Sequence, residues 1–212
     1  GLHRSGPLIL QFSVSLAGWE YFYILVEHHG HEALAVSNAM RNVFGIVGCL
    51  TWGFASATNT LVSNSIGQGR SDKVLHITRR IALWNLLLTG TLCLLVNLAA
   101  APVLSIYGQG EAFVTAATPV LRVVTVAMAL MAITVVWMNA VTGTGNTQVN
   151  LYAELVALLA YCAHVWLALV TWNLPVAYGW AAEWVYWLVL LVPCYLYMRS
   201  DRWKRQAAPE SA

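Results

Sequence analysis

Four carboxylates lie within or at the edge of long apolar runs, and they are the residues best placed to do chemistry in this 212-residue chain. They are Glu20, Glu27, Glu154 and Glu183. A charged side chain at the centre of a bilayer costs about 2.5–3.5 kcal/mol on insertion scales, so each such residue merits a functional hypothesis. A buried carboxyl group can bind a proton or a sodium ion. The alternatives are a snorkelling side chain or a structural ion pair, for which Arg122 is a candidate partner.

A row of small and polar residues follows one helical face in a second apolar run. Its members are Ser56, Asn59, Thr60, Ser63 and Gly67. Small residues on one face allow close helix packing, whereas the same row can form the wall of a water-filled cavity. Asn139, near the end of another apolar run, allows the same two interpretations, so both amides are candidates for binding an ion or a substrate.

Composition shows what surrounds these residues. The chain is 59% hydrophobic and only 9% charged, with a mean hydropathy of +0.64. An average soluble domain is about a quarter charged, so a water-soluble globular enzyme is excluded and membrane lipid is the expected surrounding. The net charge is +2 and the basic residues are dispersed, so no nucleic-acid partner is expected.

Other reactive residue types do not form a recognisable site. The cysteines lie far apart in apolar runs and are expected to be packed thiols rather than zinc ligands; they are Cys49, Cys93, Cys162 and Cys194. His28, His29, His31 and Glu32 fit an exposed polar loop better than a metal site. No Ser/His/Asp or Cys/His arrangement occurs in the spans, so we expect no metal, no cofactor and no enzymatic activity.

Six windows are long and apolar enough to cross a bilayer as helices. They are 7–26, 43–66, 81–104, 120–141, 149–170 and 180–198. We therefore predict an all-α integral membrane bundle over residues 1–200, followed by a disordered tail over 201–212. Nine of the eleven Lys and Arg residues lie on the side of the two termini, which places both termini in the cytoplasm.

Two glycine-containing links join these spans. One carries Gly67 and Gly69, and the other carries Gly143, Gly145 and Asn146. Neither follows a strand or contains Gly-Lys-Ser/Thr, so a phosphate-binding loop is not indicated. We expect tight helix–helix turns that use the freedom of glycine at positive φ.

Four segments, in this order, resemble multidrug and toxic compound extrusion (MATE) transporters. Residues 30–38 with Arg41-Asn42 resemble the stretch after the seventh helix of that family, and residues 61–70 resemble its Gly-x-Gly ending of the eighth helix. Residues 139–147 resemble the turn between its tenth and eleventh helices. The sixth span is similar to the last helix of one bacterial branch; it carries Trp180, Glu183, Trp184, Tyr186 and Trp187.

The resemblance implies one six-helix lobe of a twelve-helix transporter in a bacterial inner membrane. Such proteins export cationic or amphipathic compounds in exchange for H⁺ or Na⁺. The start at Gly1 rather than Met suggests a fragment. The expected partners are then a missing N-terminal lobe, or a second copy, and a small cationic or amphipathic substrate.

The resemblance also implies which carboxylates matter. Some members carry an acid in the seventh helix, and that position falls near Ser15, five residues before Glu20. The stretch that matches a tenth-helix acid reads Thr134-Val135-Val136, without a carboxylate. Glu154 and Glu183 resemble positions of the bacterial branch and are the preferred candidates. The alternative functions are a lipid-linked oligosaccharide flippase of the same superfamily, a membrane enzyme and an assembly subunit.

Overall fold

The structure is a computed structural model that describes residues 2–207, with side chains described for 5–204. Within this part of the chain there are helices and no strands, and six segments are long and apolar enough to cross a membrane. The six-span, all-α prediction is therefore confirmed. The segments are Ser5–His29, His31–Gly67, Ser71–Leu98, Glu111–Gly143, Thr147–Thr171 and Val176–Arg199.

The helices and turns within these segments are numbered in chain order. They are α1 (Leu2–His29), α2 (His31–Gly67), a 3₁₀ turn (Ser71–Lys73), α3 (Val74–Leu98), α4 (Ala100–Ser105), α5 (Glu111–Gly143), α6 (Thr147–Val165), a π-helical turn (Trp166–Thr171), α7 (Val176–Trp180), α8 (Ala182–Arg199) and α9 (Arg202–Ala207). Most helices extend beyond the predicted windows, because hydropathy marks the apolar stretch and not the helix ends.

The third span differs most from its predicted bounds of 81–104. Helix α3 begins at Val74 and ends at Leu98, and residues 100–105 form the separate helix α4. Pro102 has no backbone N–H and cannot donate to the carbonyl of Leu98, so a continuous helix would lose a hydrogen bond there. The break at Ala99, with φ −104° and ψ 32°, relieves that conflict.

The described part of the tail, residues 201–207, differs from the disorder predicted over 201–212. Residues 202–207 form α9, and the Trp203 side chain is buried with its indole N–H donating to Met198 O at 2.8 Å. Lys204 and Asp201 form an ion pair at 3.0 Å. Burial of the Trp203 ring holds this turn against α8. The remainder of the predicted tail, 208–212, lies outside the described residues.

The turn glycines divide into two kinds. Gly69 and Gly145 have φ values of 73° and 89°, where glycine is favoured, as the turn prediction requires. Gly67 and Gly143 instead are the last residues of α2 and α5 and lack positive φ. Gly143 serves packing, since an added Cβ would lie 2.9 Å from Val62 and 3.0 Å from the carbonyl oxygen of Asn59.

Helix α5 is the centre of the bundle. In its most apolar stretch, 67% of the residues are buried, whereas the corresponding stretches of the first and third spans are 22% buried. The reason is that α5 packs on α2, α3 and α8. Helix α1 packs on α6, and α6 packs on α8. The space that faces α1, α2, α5, α6 and α8 remains open as a cavity.

Candidate functional site

A cavity of about 800 Å³ lies among these five helices. Its wall is largely aromatic and aliphatic, and its polar groups are amides, hydroxyls and two carboxyls. The polar groups belong to Gln11, Ser15, Asn59, Asn139, Thr142, Asn150, Glu154, Glu183 and the tyrosines 161 and 186. None of the described side chains that line it is Lys, Arg or His, so its formal charge is negative or neutral.

Glu154 is the most completely satisfied polar group of this wall. Its side chain is 2% exposed. The Gln11 amide donates to Oε2 at 3.1 Å, and the Ser15 hydroxyl donates to Oε1 at 2.5 Å. The Tyr186 hydroxyl also donates to Oε1. A single carboxyl group thus joins α1, α6 and α8 through three uncharged donors.

Helical spacing explains why α1 supplies two of these donors. Gln11 and Ser15 are four residues apart and so share one face of α1, which packs on α6. Gly18 lies on the adjoining turn, and an added Cβ there would meet Leu158 Cδ1 at 2.3 Å. Helix α1 thus packs closely on α6 at Gly18, one turn from Ser15, which donates to Glu154.

Glu183 lies on the same wall in different surroundings. It is 5% exposed and sits in the first turn of α8. Its carboxyl group lies beside the Trp187 indole N–H, one turn further along the helix. Neither that indole nitrogen nor the buried Tyr161 hydroxyl has a hydrogen bond of normal geometry to any described residue. Glu183 therefore has polar neighbours whose hydrogen bonding is incomplete.

The predicted amides also reach the cavity. Asn59 of α2 and Asn139 of α5 line it, and the Asn139 amide donates to Val135 O of its own helix at 2.8 Å. Asn150, which the sequence did not single out, donates to Thr142 Oγ1 at 2.7 Å and Met138 O at 3.0 Å. These two hydrogen bonds hold the start of α6 against the end of α5.

The other predicted carboxylates lie elsewhere. Glu20 and Glu27 are exposed on α1 and do not line the cavity. Glu20 follows Ser15 by five residues, a rotation of about 140° from the face that meets Glu154. Arg122 is exposed, and the one ion pair among the described side chains joins Lys204 and Asp201, so the suggested Arg122 pairs with Glu27 or Glu183 are absent.

Sequence reasoning missed Gln11, Ser15 and Tyr186 as partners of Glu154. Gln11 and Ser15 are separated from it by 143 and 139 residues, and Tyr186 by 32. A usable signal was the i, i+4 spacing of Gln11 and Ser15 in an otherwise apolar run. The second signal was that Ser15 occupies the place of the seventh-helix acid in the resemblance.

Six membrane helices, five of which line a cavity with two buried carboxyl groups, define the class: a multi-pass membrane protein with the architecture of one transporter lobe. The MatE family model matches residues 7–170, more than half of the chain. The chain therefore belongs to the MatE family of transporters.

Solved structures of MATE transporters share this fold. The Vibrio cholerae MATE transporter VcmN in its bent form has a TM-score of 0.88 and 13% identity, over 95% of this chain and 46% of that one. An outward-facing multidrug resistance MATE transporter of the MOP superfamily has a TM-score of 0.82 and 18% identity. The match covers 99% of this chain and 48% of that one.

A third similar structure has a different pocket character. It is a MOP superfamily transporter from Pyrococcus furiosus, described as having a binding pocket of reverse polarity that suggests a different function. Its TM-score is 0.80 at 18% identity, and the match covers 94% of this chain and 44% of that one. The chain thus spans less than half the length of these relatives. No match is found among curated protein sequences.

Proposed function

We propose that this lobe belongs to an antiporter that exports cationic or amphipathic compounds in exchange for H⁺ or Na⁺. The observation that carries the proposal is Glu154, a buried carboxyl group held by uncharged donors on the wall of a cavity whose described lining has no cationic side chain. A carboxyl group without a competing cation is free to take up a coupling ion. A lining with two carboxyl groups and no described cationic side chain also favours cationic cargo.

Glu154 is also placed to convert ion binding into movement. When a proton or Na⁺ binds, the carboxyl oxygens can no longer accept all the hydrogen bonds they accept when charged. The Ser15 hydroxyl of α1 and the Tyr186 hydroxyl of α8 share Oε1, so ion occupancy alters the contact between these helices. Coupling then requires that ion and cargo bind differently in the inward and outward states.

The proposal extends to the membrane and to the partner. The Lys and Arg distribution supports both ends in the cytoplasm, and the resemblance of the sixth span to a bacterial branch supports a bacterial inner membrane. The similar transporters are more than twice as long as the matched region, which supports pairing with a second six-helix lobe. That lobe is either in the same polypeptide or in a second copy of this chain.

Substitution of Glu154 by Gln tests the coupling role. In proteoliposomes of the intact protein, ethidium transport driven by a pH or Na⁺ gradient is expected to fall by at least about tenfold, since the amide cannot take up the ion. Glu20→Gln is the matched control, because it removes an exposed carboxyl from α1. Gradient-driven transport that survives Glu154→Gln would exclude this residue as the coupling group.

The same assay separates the other candidate functions. A flippase for an anionic lipid-linked sugar needs cationic groups in its cavity, and the described lining instead has two carboxyls. Absence of transport under either gradient, with active controls, would favour an enzyme or an assembly subunit.

A further inference from the structure

The two carboxyl groups of the cavity have opposite surroundings. Glu154 accepts hydrogen bonds from two helices besides its own, whereas Glu183 has the Trp187 indole N–H of its own helix beside it. Tyr161 lines the same cavity, is 3% exposed, and has a hydroxyl without a partner among the described residues. Two sites in one cavity that differ this much are suited to different ligands.

We propose that Glu183, with the rings of Tyr161 and Trp187, forms a subsite for the cationic group of the cargo, distinct from the coupling carboxyl group Glu154. The inference rests on the proposed transport function. It assigns the two buried carboxyls to separate ligands, so that cargo and coupling ion need not compete for the same oxygen atoms.

The free-energy cost of burial is the first argument for this assignment. A buried carboxylate with few hydrogen-bond donors is disfavoured unless it takes up a proton or an opposite charge accompanies it. No ion pair with Glu183 occurs among the described residues. Arg41, which belongs to α2, instead places its guanidinium carbon 5.6 Å from the centre of the Tyr23 ring. A cationic ligand would supply the charge that the described chain does not.

The aromatic rings around Glu183 give the second argument. The Tyr161 and Tyr186 rings lie 6.0 Å apart at 76°, and the Tyr186 and Trp187 rings lie 4.8 Å apart at 82°. Ring faces attract organic cations, most strongly where water is excluded. Three phenols, those of Tyr23, Tyr161 and Tyr186, lie within electrostatic range of Glu183.

Glu154 is poorly suited to the same task. A bulky cation that contacted its carboxyl group would have to displace the Gln11, Ser15 and Tyr186 donors. A proton or Na⁺ is small enough to bind with local rearrangement. The geometry therefore directs the small ion to Glu154 and the organic cation to Glu183.

Binding of tetraphenylphosphonium to the purified intact protein tests this division, because that cation is permanently charged and has no titratable group. Glu183→Gln is expected to raise its Kd by at least about tenfold, in line with loss of a charged partner. Glu154→Gln should change the Kd by less than about threefold while abolishing gradient-driven transport. Glu183→Asp restores the charge and is expected to keep binding within about threefold of the original protein.

Glu20→Gln is the matched control and should leave the Kd unchanged, as that carboxyl group lies outside the cavity. Equal weakening by Glu154→Gln and Glu183→Gln would overturn the separate subsite, as would an unchanged Kd in Glu183→Gln. Neither of these results contradicts transport itself. Failure of the proposed function would instead appear as absence of gradient-driven transport in the original protein.

Discussion

At the residue scale, the character of the cavity depends on which donors meet each carboxyl group. Tyr186 is decisive, because its hydroxyl bonds to Glu154 while its ring contacts both Tyr161 and Trp187. It is the residue that links the proposed ion site to the proposed cargo subsite. The consequences of losing its hydroxyl alone are therefore informative.

Tyr186→Phe is expected to lower gradient-driven ethidium transport by about tenfold, because a hydrogen bond to a charged group contributes about 1.5–3 kcal/mol. Tyr195→Phe is the matched control on the same helix, since Tyr195 packs its ring against Trp137 and does not line the cavity. The measurement is initial uptake into proteoliposomes. Equal effects of the two substitutions would show that the Tyr186 hydroxyl has no special role.

At the element scale, the bundle depends on close contacts at a few helix crossings. Helix α2 meets the end of α5 where Gly143 faces Val62, and the Ser63 hydroxyl donates to Gly143 O at 3.2 Å across the same crossing. Asn59 and Asn139 line the cavity near this contact. Separation of the two helices would therefore widen the cavity as well as weaken the fold.

Gly143→Ala is expected to destabilise the protein by about 1–3 kcal/mol, as overpacking does, because the new Cβ would lie 3.0 Å from the backbone oxygen of Asn59. The measurement is the melting temperature in detergent. Gly90→Ala on α3 is the control: nothing lies within 4 Å of its added Cβ, so the better helix propensity of alanine should keep or raise stability. A melting temperature unchanged by Gly143→Ala would contradict a tight crossing.

At the scale of the whole molecule, one central helix organises the lobe. Helix α5 contacts α2, α3 and α8, and α1 reaches the cavity through its contact with α6. The faces of the outer helices remain exposed and strongly apolar, as with Leu98 at 77% and Ile46 at 76%. Lipid and a second lobe are the surroundings that can cover such faces.

The charge distribution predicts the orientation of the lobe in the membrane. A green fluorescent protein fused to the C-terminus is expected to fluoresce, because the positive-inside rule places that end in the cytoplasm. Alkaline phosphatase inserted at Gln109, between α4 and α5, should be active because this link lies at the opposite end of the bundle. An inactive insertion at Gln109 combined with an active phosphatase at the C-terminus would reverse the proposed orientation.

The six spans, the all-α class and the family could be predicted from the sequence, because each depends on local composition or on short motifs in a fixed order. Charges in apolar runs singled out Glu20, Glu27, Glu154 and Glu183 alike, and the resemblance gave preference to the last two. The three-dimensional arrangement of the helices was needed to show which carboxyls share a cavity and that Gln11, Ser15 and Tyr186 meet at Glu154. Lipid is as apolar as a protein core, so the lipid-facing and buried sides of a membrane helix have similar residues. The sequence therefore does not show which face of each helix packs against its neighbours.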